Sequence, residues 1–311
     1  MTALLADAHC QQHDTGHGHP ESPARFDAVM EGLQRAGLLE RLLRLPPRAV
    51  TGADFELAHE VDYLRRAEQD IHSGASQLGT GDTTICEDSW EAAGLAVGCA
   101  LAAVDAVMEG KAANAFCAVR PPGHHATADR GMGFCILNNV AIAARHAQRR
   151  HGIERVLIVD WDVHHGNGTQ DIFYEDGSVF FFSTHQSPWY PGTGRASETG
   201  AGAGKGTTLN CPLPAGSGRA EIFAAFEKQL LPAMEKFRPE FVLISAGFDS
   251  RAGDPLGDFL LTDTDFADLT KIVLGIADQY AKSRVVSLLE GGYNLSGLGS
   301  AATAHVKALS V

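Results

Sequence analysis

The sequence predicts an α/β fold, a single-domain open and mostly parallel sheet with helices on both faces. The first observation behind this prediction is that short apolar runs, rich in β-branched residues, alternate with longer helix-like segments. The second is that no linker, repeat or break in composition divides the 311 residues, so residues 1–311 are expected to form one domain. A hydrophobic content of 44% is sufficient for a large core.

The strand and helix candidates alternate in order along the chain. The strands are short apolar runs of the kind that is buried on both faces of a parallel sheet. Thr262 suits the N-cap position of the last long helical segment. The apolar stretch from Ala92 to Met108 is interrupted by Asp105, which favours a buried helix over a membrane span. The strand candidates are 115–119, 155–159, 179–183, 207–211, 241–245 and 284–289, and the other helix candidates are 138–151, 219–237 and 262–282.

Composition limits the function classes. The net charge of −13 argues against direct binding of nucleic acid or of an anionic membrane surface. The six cysteines are scattered without a CxxC pair, and the N-terminus lacks the features of a signal peptide, so a cytoplasmic protein with reduced thiols is expected. The glycine-rich loop 200–206 does not match a phosphate-binding loop, because Gly206 follows Lys205 where Ser or Thr is required. A flexible surface loop is expected there.

Reactive side chains follow several strand candidates at the point where each strand ends. Because the carboxyl ends of parallel strands meet at one edge of a sheet, these side chains are expected to form one site. Glycines beside them would let the backbone turn sharply. The segments concerned are 120–125, 160–165, 184–185, 246–249 and 290–293.

The strongest local signal is a metal half-site. Asp162 and His164 alternate along an extended segment, so both side chains leave the same face, whereas His165 points the opposite way and is expected to make buried hydrogen bonds. Asp249 is a candidate third ligand, and three protein ligands leave a position for water or substrate. Two carboxylates and one imidazole form a harder set than most zinc sites, so iron(II), cobalt and manganese stay open beside zinc. A metal-free, hydrogen-bonded cluster is the alternative.

The remaining strand-end residues suit hydrolysis. His124 and His125 provide titratable groups for proton transfer near neutral pH. Tyr293, on a Gly-Gly turn, can donate a hydrogen bond to a developing oxyanion. Together with a Lewis-acidic metal, these groups predict metal-assisted hydrolysis of an amide or an ester.

Six motifs resemble the histone deacetylase family. They extend over most of the chain, and their pattern is similar to the class II branch, which includes bacterial histone deacetylase-like amidohydrolases and acetylpolyamine amidohydrolases. The resemblance implies the arginase/deacetylase fold and a hydrolase that acts on acetyl-lysine peptides or acetylpolyamines. The motifs lie at residues 17–25, 120–126, 133–139, 160–169, 245–249 and 290–293.

The resemblance also implies roles for individual residues. It implies Zn²⁺ on Asp162, His164 and Asp249, with Fe²⁺ or Co²⁺ as other candidates. It implies that His124 pairs with Asp160 as an electrostatic group, that His125 is the general base and then the general acid, and that Tyr293 stabilises the transition state. Asn167 stands where class I relatives carry a second Asp, so His125 should be easier to keep neutral. A structural K⁺ site, bound mostly through backbone carbonyls, is implied at Asp160, Asp162, His164, Ser183 and Thr184.

Other residues receive weaker assignments. Phe134, Tyr190, Gly133 and Gly292 resemble the walls of an acyl-lysine tunnel, with Trp189 as an alternative to Tyr190. Asp82 is expected in a solvated loop, Cys135 is expected to be a buried thiol, and no catalytic role is assigned to His13, His17 or His19.

Two other functions stay open at this stage. One is a manganese ureohydrolase of the same fold, although the segment after His165 offers none of the additional Asp and His ligands that bridge two metals. The other is a non-catalytic module that binds acyl-lysine. The sequence leaves the oligomeric state open, a homo-oligomer included.

Overall fold

The computed structural model describes residues 1–310, and its centre is one sheet of eight strands in the order β2-β1-β3-β8-β7-β4-β5-β6. Every neighbouring pair of strands is parallel. The prediction of a mostly parallel sheet is therefore confirmed, and this sheet is parallel throughout. The strands are β1 (Thr2–Leu5), β2 (Leu43–Leu45), β3 (Asn114–Cys117), β4 (Val156–Asp160), β5 (Val179–Gln186), β6 (Thr208–Leu213), β7 (Phe241–Ala246) and β8 (Val285–Leu289).

Within residues 1–310, ten α-helices connect and cover the strands. The predicted helix at 219–237 is a continuous run in which a π-helical segment, Phe226–Leu230, separates α7 from α8. The loop at 200–206 contains a short 3₁₀ turn, Gly202–Gly204, before β6. The helices are α1 (Ala24–Arg35), α2 (Gly52–Phe55), α3 (Val61–His72), α4 (Ser89–Met108), α5 (Asn139–His151), α6 (Asn167–Phe173), α7 (Arg219–Ala225), α8 (Leu231–Phe237), α9 (Asp263–Tyr280) and α10 (Leu295–Leu309).

The two faces of the sheet bury separate apolar clusters. In β4, Val156 and Ile158 face the cluster that includes α4 and α5, whereas Leu157 and Val159 face the cluster that includes α9 and α10. This alternation follows from the period of two in a strand, and it places helices on both faces as predicted.

Helix α4 fills the space between the sheet and the neighbouring helices. By length and hydropathy it is the one helix within residues 1–310 that could cross a membrane, but 72% of its apolar window is buried inside the domain. Burial of most of its surface explains why its sequence is mostly apolar, as expected of a core helix.

Candidate active site

The carboxyl ends of β3, β8, β7 and β4 lie side by side in the sheet. The loops that follow these strands carry the reactive segments identified in the sequence. Parallel pairing therefore brings together residues that are far apart in the chain, and they form the floor of a cavity.

Asp162, His164 and Asp249, here called the buried triad, have one donor atom each within 4.8 Å of the others. The Nδ1 atom of His164 lies 3.0 Å from Oδ1 of Asp162 and 3.2 Å from Oδ2 of Asp249. The backbone N–H of Gly291 donates to Oδ2 of Asp162 at 2.8 Å, and that of Val163 donates to Oδ1 of Asp249 at 2.9 Å. All three side chains are buried, so their positions are fixed by the surrounding backbone.

The charge of the buried triad fits a cation. Two carboxylates packed together inside a protein are costly unless a positive charge compensates them. Burial, followed by the negative charge of Asp162, raises the pKa of Asp249 to about 7. The Oδ2 atom of Asp249 is buried, and the Nδ1 atom of His164, 3.2 Å away, does not form a well-aligned hydrogen bond with it. A divalent cation would remove the repulsion between the carboxylates and bind this oxygen, so the residues present fit the metal that the sequence implies.

Two glycines allow the backbone to lie against these carboxylates. A Cβ atom on Gly291 would lie 2.0 Å from Oδ2 of Asp249. A Cβ atom on Gly247 would lie 2.1 Å from Oδ2 of Asp162. Because both distances are far below van der Waals contact, the buried triad requires glycine at both positions.

His124 is paired with Asp160 behind the buried triad. Its Nδ1 atom lies 2.9 Å from Oδ2 of Asp160, and its Nε2 atom lies 3.8 Å from Oδ2 of Asp162. Burial lowers the pKa of His124, but the charges of Asp160 and then Asp162 outweigh burial and raise the pKa well above its ordinary value. This imidazole is therefore protonated at neutral pH.

His125 has the opposite electrostatic environment. Its Nδ1 atom lies 2.7 Å from Oδ1 of Asn167. Because an amide oxygen only accepts hydrogen bonds, Nδ1 carries the proton and Nε2 is left as an acceptor. Burial lowers the pKa of His125 well below its ordinary value, and the positive charge of His124 lowers it further. The ring is therefore neutral and able to accept a proton.

Tyr293 is held by a hydrogen bond to its backbone and by a guanidinium group beside its ring. Its backbone N–H donates to Oδ2 of Asp254 at 2.7 Å. The guanidinium of Arg25 lies 5.0 Å from the ring centroid and donates from Nε to the carbonyl oxygen of Gly292 at 2.7 Å. Burial raises the pKa of Tyr293 well above its ordinary value, so the hydroxyl keeps its proton at neutral pH.

These side chains face a cavity of about 230 Å³. The ring of Tyr190 lies 5.2 Å from that of His125, and the ring of Phe134 lies 5.9 Å from that of Tyr293, both in edge-to-face geometry. Trp189 lines the cavity together with Tyr190, so the structure uses both of the aromatic alternatives. The cavity is lined by Asp82, His125, Gly133, Phe134, His164, Trp189, Tyr190, Leu256 and Tyr293.

Two expectations about the cavity differ from the structure. Gly292 does not line it; a Cβ there would face Leu298 and Phe248 at 3.0 and 3.1 Å. Asp82 is exposed, as expected for a loop residue, but it also lines the cavity. Its Oδ1 atom accepts a 2.7 Å hydrogen bond from the backbone N–H of Gly133, and this contact fixes the loop on the cavity wall.

The histidines and cysteine without assigned catalytic roles have other partners. The ring nitrogens of His165 lie 2.8 Å from Oγ1 of Thr193 and 3.0 Å from Oε1 of Gln170, as expected for a buried hydrogen-bonded residue. Cys135 is buried, and burial raises the pKa of its thiol well above the ordinary value. Of the early histidines, His13 is buried against Ser89 and Glu21, His17 is exposed, and His19 packs its ring 4.8 Å from that of Phe134.

The positions with a predicted K⁺ role lie next to the buried triad. Asp160 is paired with Ser183 in the register of β4 and β5, and Thr184 follows Ser183 in the same strand. Among residues 1–310 these side chains are buried. The K⁺ site itself stays a prediction.

Sequence reasoning missed a buried network that supports the catalytic loops. Glu290 accepts hydrogen bonds from the backbone N–H groups of Gly123 and His124 at 2.7 and 3.1 Å, and from the Ser245 hydroxyl at 3.0 Å. Glu21 is fully buried between the guanidinium groups of Arg25 and Arg120. A charged residue inside an otherwise small and apolar motif, as in residues 290–293, is the available sequence signal for such a role.

Comparison with known proteins identifies relatives over most of the chain. A family model described as the histone deacetylase domain matches residues 19–309. The chain is 39% identical to the chloroplastic histone deacetylase 10 of Oryza sativa, covering 96% of this chain and 72% of that protein. It is 42% identical to the histone deacetylase-like amidohydrolase of Pseudomonas aeruginosa, covering 89% of this chain and 73% of the relative.

Two further similarities extend the comparison. The chain is 40% identical to the human polyamine deacetylase HDAC10 over 93% of this chain and 44% of that protein. The crystal structure of the HDA15 HD domain superposes with a TM-score of 0.94 at 37% identity, covering 99% of this chain and 89% of that one.

Proposed function

The chain belongs to the histone deacetylase family of hydrolases, and from this premise we propose that it is a zinc-dependent deacetylase that hydrolyses the acetamide of an acetylated amine. One observation carries the proposal. The buried triad has one ligand atom from each of two carboxylates and one imidazole within 4.8 Å of the others, and it adjoins a cavity that is also lined by a neutral imidazole and a protonated phenol. These are the groups that metal-assisted amide hydrolysis requires.

The buried triad would hold the metal through Asp162, His164 and Asp249. When bound, the cation supplies Lewis acidity, which polarises an acyl carbonyl and makes a water molecule more acidic. Zn²⁺ is the proposed ion, and the two carboxylates leave Fe²⁺ and Co²⁺ as competitors. A structural K⁺ bound by the residues around Asp160 and Ser183 belongs to the same proposal.

His125 moves the proton. The Asn167 side chain keeps the Nδ1 proton in place, so Nε2 accepts a proton from water during attack and later delivers it to the departing amine. His124 has a different role because its charge is held by Asp160. It stabilises negative charge at the reaction centre by electrostatic attraction.

Tyr293 holds the oxyanion. Its hydroxyl remains protonated at neutral pH, so it donates a hydrogen bond as negative charge develops on the acyl oxygen. The backbone contact to Asp254 and the stacking of Arg25 limit the freedom of this side chain. A hydrogen-bond donor stabilises an oxyanion most effectively when its position is fixed before the reaction begins.

The cavity suits a flexible alkyl arm that ends in an acetamide. Its walls are the rings of Phe134, Tyr190 and Trp189, and Asp82 provides a carboxylate at the cavity wall. Acetyl-lysine peptides and acetylpolyamines share such an arm and carry positive charge or N–H groups that a carboxylate attracts. One relative is named as a polyamine deacetylase, which supports including polyamines among the candidates.

The experiment combines metal analysis with a deacylation panel of acetyl-lysine peptides, acetylated polyamines, longer acyl-lysines and simple esters. We expect acetate release from at least one acetylated amine by protein that contains metal. Tyr293→Phe should retain the metal and lose activity by about 10²–10³-fold, the usual effect of removing an oxyanion donor. Unchanged turnover would disprove the role of Tyr293. No acetate release from any acetylated amine would favour the non-catalytic binding module.

A further inference from the structure

A second group of metal-ligand residues lies between helices α4 and α5, away from the cavity. It consists of Asp105 on α4 and His146 and His151 on α5, here called the helix triad. One donor atom of each residue lies within 4.8 Å of the others. None of these residues lines the cavity described above. The two helices pack against each other, so the group joins two elements of the fold.

We propose that the helix triad is a second site for a divalent transition-metal ion, of which Zn²⁺ is the probe. The Nε2 atoms of His146 and His151 both lie 2.7 Å from the same oxygen, Oδ1 of Asp105. Two imidazole nitrogens and a carboxylate oxygen thus point at one small volume. Imidazole and carboxylate are ligands that first-row divalent ions share.

A change of tautomer turns the hydrogen-bonded form of the helix triad into a set of metal ligands. In the hydrogen-bonded form, both imidazoles donate from Nε2 to Asp105. Moving each proton to Nδ1 frees both Nε2 lone pairs for a cation. The two rings stand nearly perpendicular, at 82° with centroids 5.6 Å apart, so they approach the shared volume from different directions. Such divergence is needed to surround an ion.

Access and charge also suit a metal. The side chains of His146, His151 and Asp105 are 7%, 13% and 27% exposed, so solvent reaches the group while its rings remain held by packing. The carboxylate of Asp105 supplies the negative charge that a cation requires. Arg48 lies 3.8 Å from the other oxygen, Oδ2, and leaves Oδ1 for the ion.

The position of the helix triad gives a metal a structural consequence. His151 is the last residue of α5, and at the other end of this helix the side chain of Asn138 donates to the Ala126 carbonyl oxygen at 2.9 Å and to the Thr169 hydroxyl at 3.2 Å. Helix α5 therefore supports the loop that carries His125. An ion that links α4 to α5 would stabilise the folded state by linkage, because the unfolded chain lacks the site.

The test compares metal content after equilibrium dialysis against micromolar Zn²⁺. The variants are the double substitution His146→Gln with His151→Gln, the single substitution His151→Gln, and His72→Gln, which removes an exposed histidine from the last turn of α3 as a matched control. We expect wild type and His72→Gln to bind one equivalent more than the double variant. We also expect Zn²⁺ to raise the melting temperature of wild type more than that of the double variant.

Equal metal content in wild type and the double variant would overturn the proposal. If circular dichroism shows that the double variant is unfolded, the single variant His151→Gln, at the end of α5, takes its place. Its metal content and its melting temperature with Zn²⁺ are then compared with those of wild type. The comparison is repeated with Asp249→Asn present in every protein. The same difference of one equivalent must appear there, because the helix triad does not depend on the buried triad or on the proposed activity.

Discussion

The buried triad and the helix triad contain the same residue types and differ in how they are held. In the buried triad, backbone N–H groups of Gly291 and Val163 bind the carboxylates, and two glycines permit that contact. In the helix triad, the side chains hold one another, and a guanidinium group shares the carboxylate. The first arrangement is fixed before any ligand binds, whereas the second depends on side-chain rotamers.

This difference teaches what makes a group of metal ligands catalytic. Ligands fixed by the backbone keep a coordination position open at a defined place, next to a base and an oxyanion donor. The ligands of the helix triad, which are held by side-chain contacts, have no such base or oxyanion donor beside them. We therefore expect substitutions around the buried triad to affect turnover strongly, and we expect the helix triad to affect metal content and thermal stability.

The largest effect is expected for Asp249→Asn. The amide keeps the size of the side chain and can still accept the hydrogen bond from Val163, but it removes a charged ligand. Deacetylase activity should fall by at least about 10²-fold, more than the loss of an outer partner usually costs, together with loss of one equivalent of metal. Elemental analysis and acetate release measure both. Retention of metal and activity would remove Asp249 from the ligand set.

A smaller effect is expected from a methyl group at Gly291. In Gly291→Ala the Cβ would collide with Oδ2 of Asp249, so we expect reduced activity and a loss of about 1–3 kcal/mol in the free energy of unfolding. Gly275→Ala is the matched control, because Gly275 is exposed within α9 and a Cβ there would lie more than 4 Å from its neighbours in the described part of the chain. That change should stabilise the protein by about 0.5–1 kcal/mol. Equal effects of the two substitutions would contradict the role assigned to Gly291.

The smallest effect is expected for Asn167→Asp, which tests the environment of His125. A carboxylate in place of the amide would favour the charged imidazole and raise the pKa of His125. Since the base must be neutral, the acid limb of the pH profile of kcat/KM should move to higher pH, with activity near the alkaline side preserved. Profiles of wild type and variant in the same buffers provide the comparison. An unmoved acid limb would show that His125 is not the titrating base.

Much of the fold could be predicted from the sequence because most strands are continuous apolar runs. The strands β8, β7 and β4, which are neighbours in the interior of the sheet, are predicted within one residue at each end. β1 and β2 were missed, since Thr2–Leu5 is short and Leu43–Leu45 carries a charged residue at its centre. Such segments contain too few residues for a hydrophobic periodicity to be recognised.

The sequence motifs predict which residues lie together in the site, but they do not predict the buried network that holds the loops of the site in place. Spacing indicates that Asp162 and His164 share one face, and parallel topology indicates that Asp249 joins them. The charge of Glu290 within its motif signals a supporting role, but no local pattern indicates that this carboxylate binds the backbone of Gly123, or that the helix triad forms, since both depend on how distant segments pack. Asp82 lies in an exposed loop as expected, but local sequence does not indicate its place on the cavity wall, because its contact with Gly133 joins two separate loops.

The most direct test of the central claim is reconstitution of the metal-depleted protein. Wild type and Asp249→Asn are treated with a chelator and then titrated with Zn²⁺ while bound metal and acetate release are measured together. At each Zn²⁺ concentration, the metal bound by Asp249→Asn is subtracted from the metal bound by wild type. We predict that the activity of wild type rises in proportion to this difference and reaches its maximum when the difference is one equivalent. Full acetate release by metal-depleted protein, or by Asp249→Asn without this equivalent, would contradict the account.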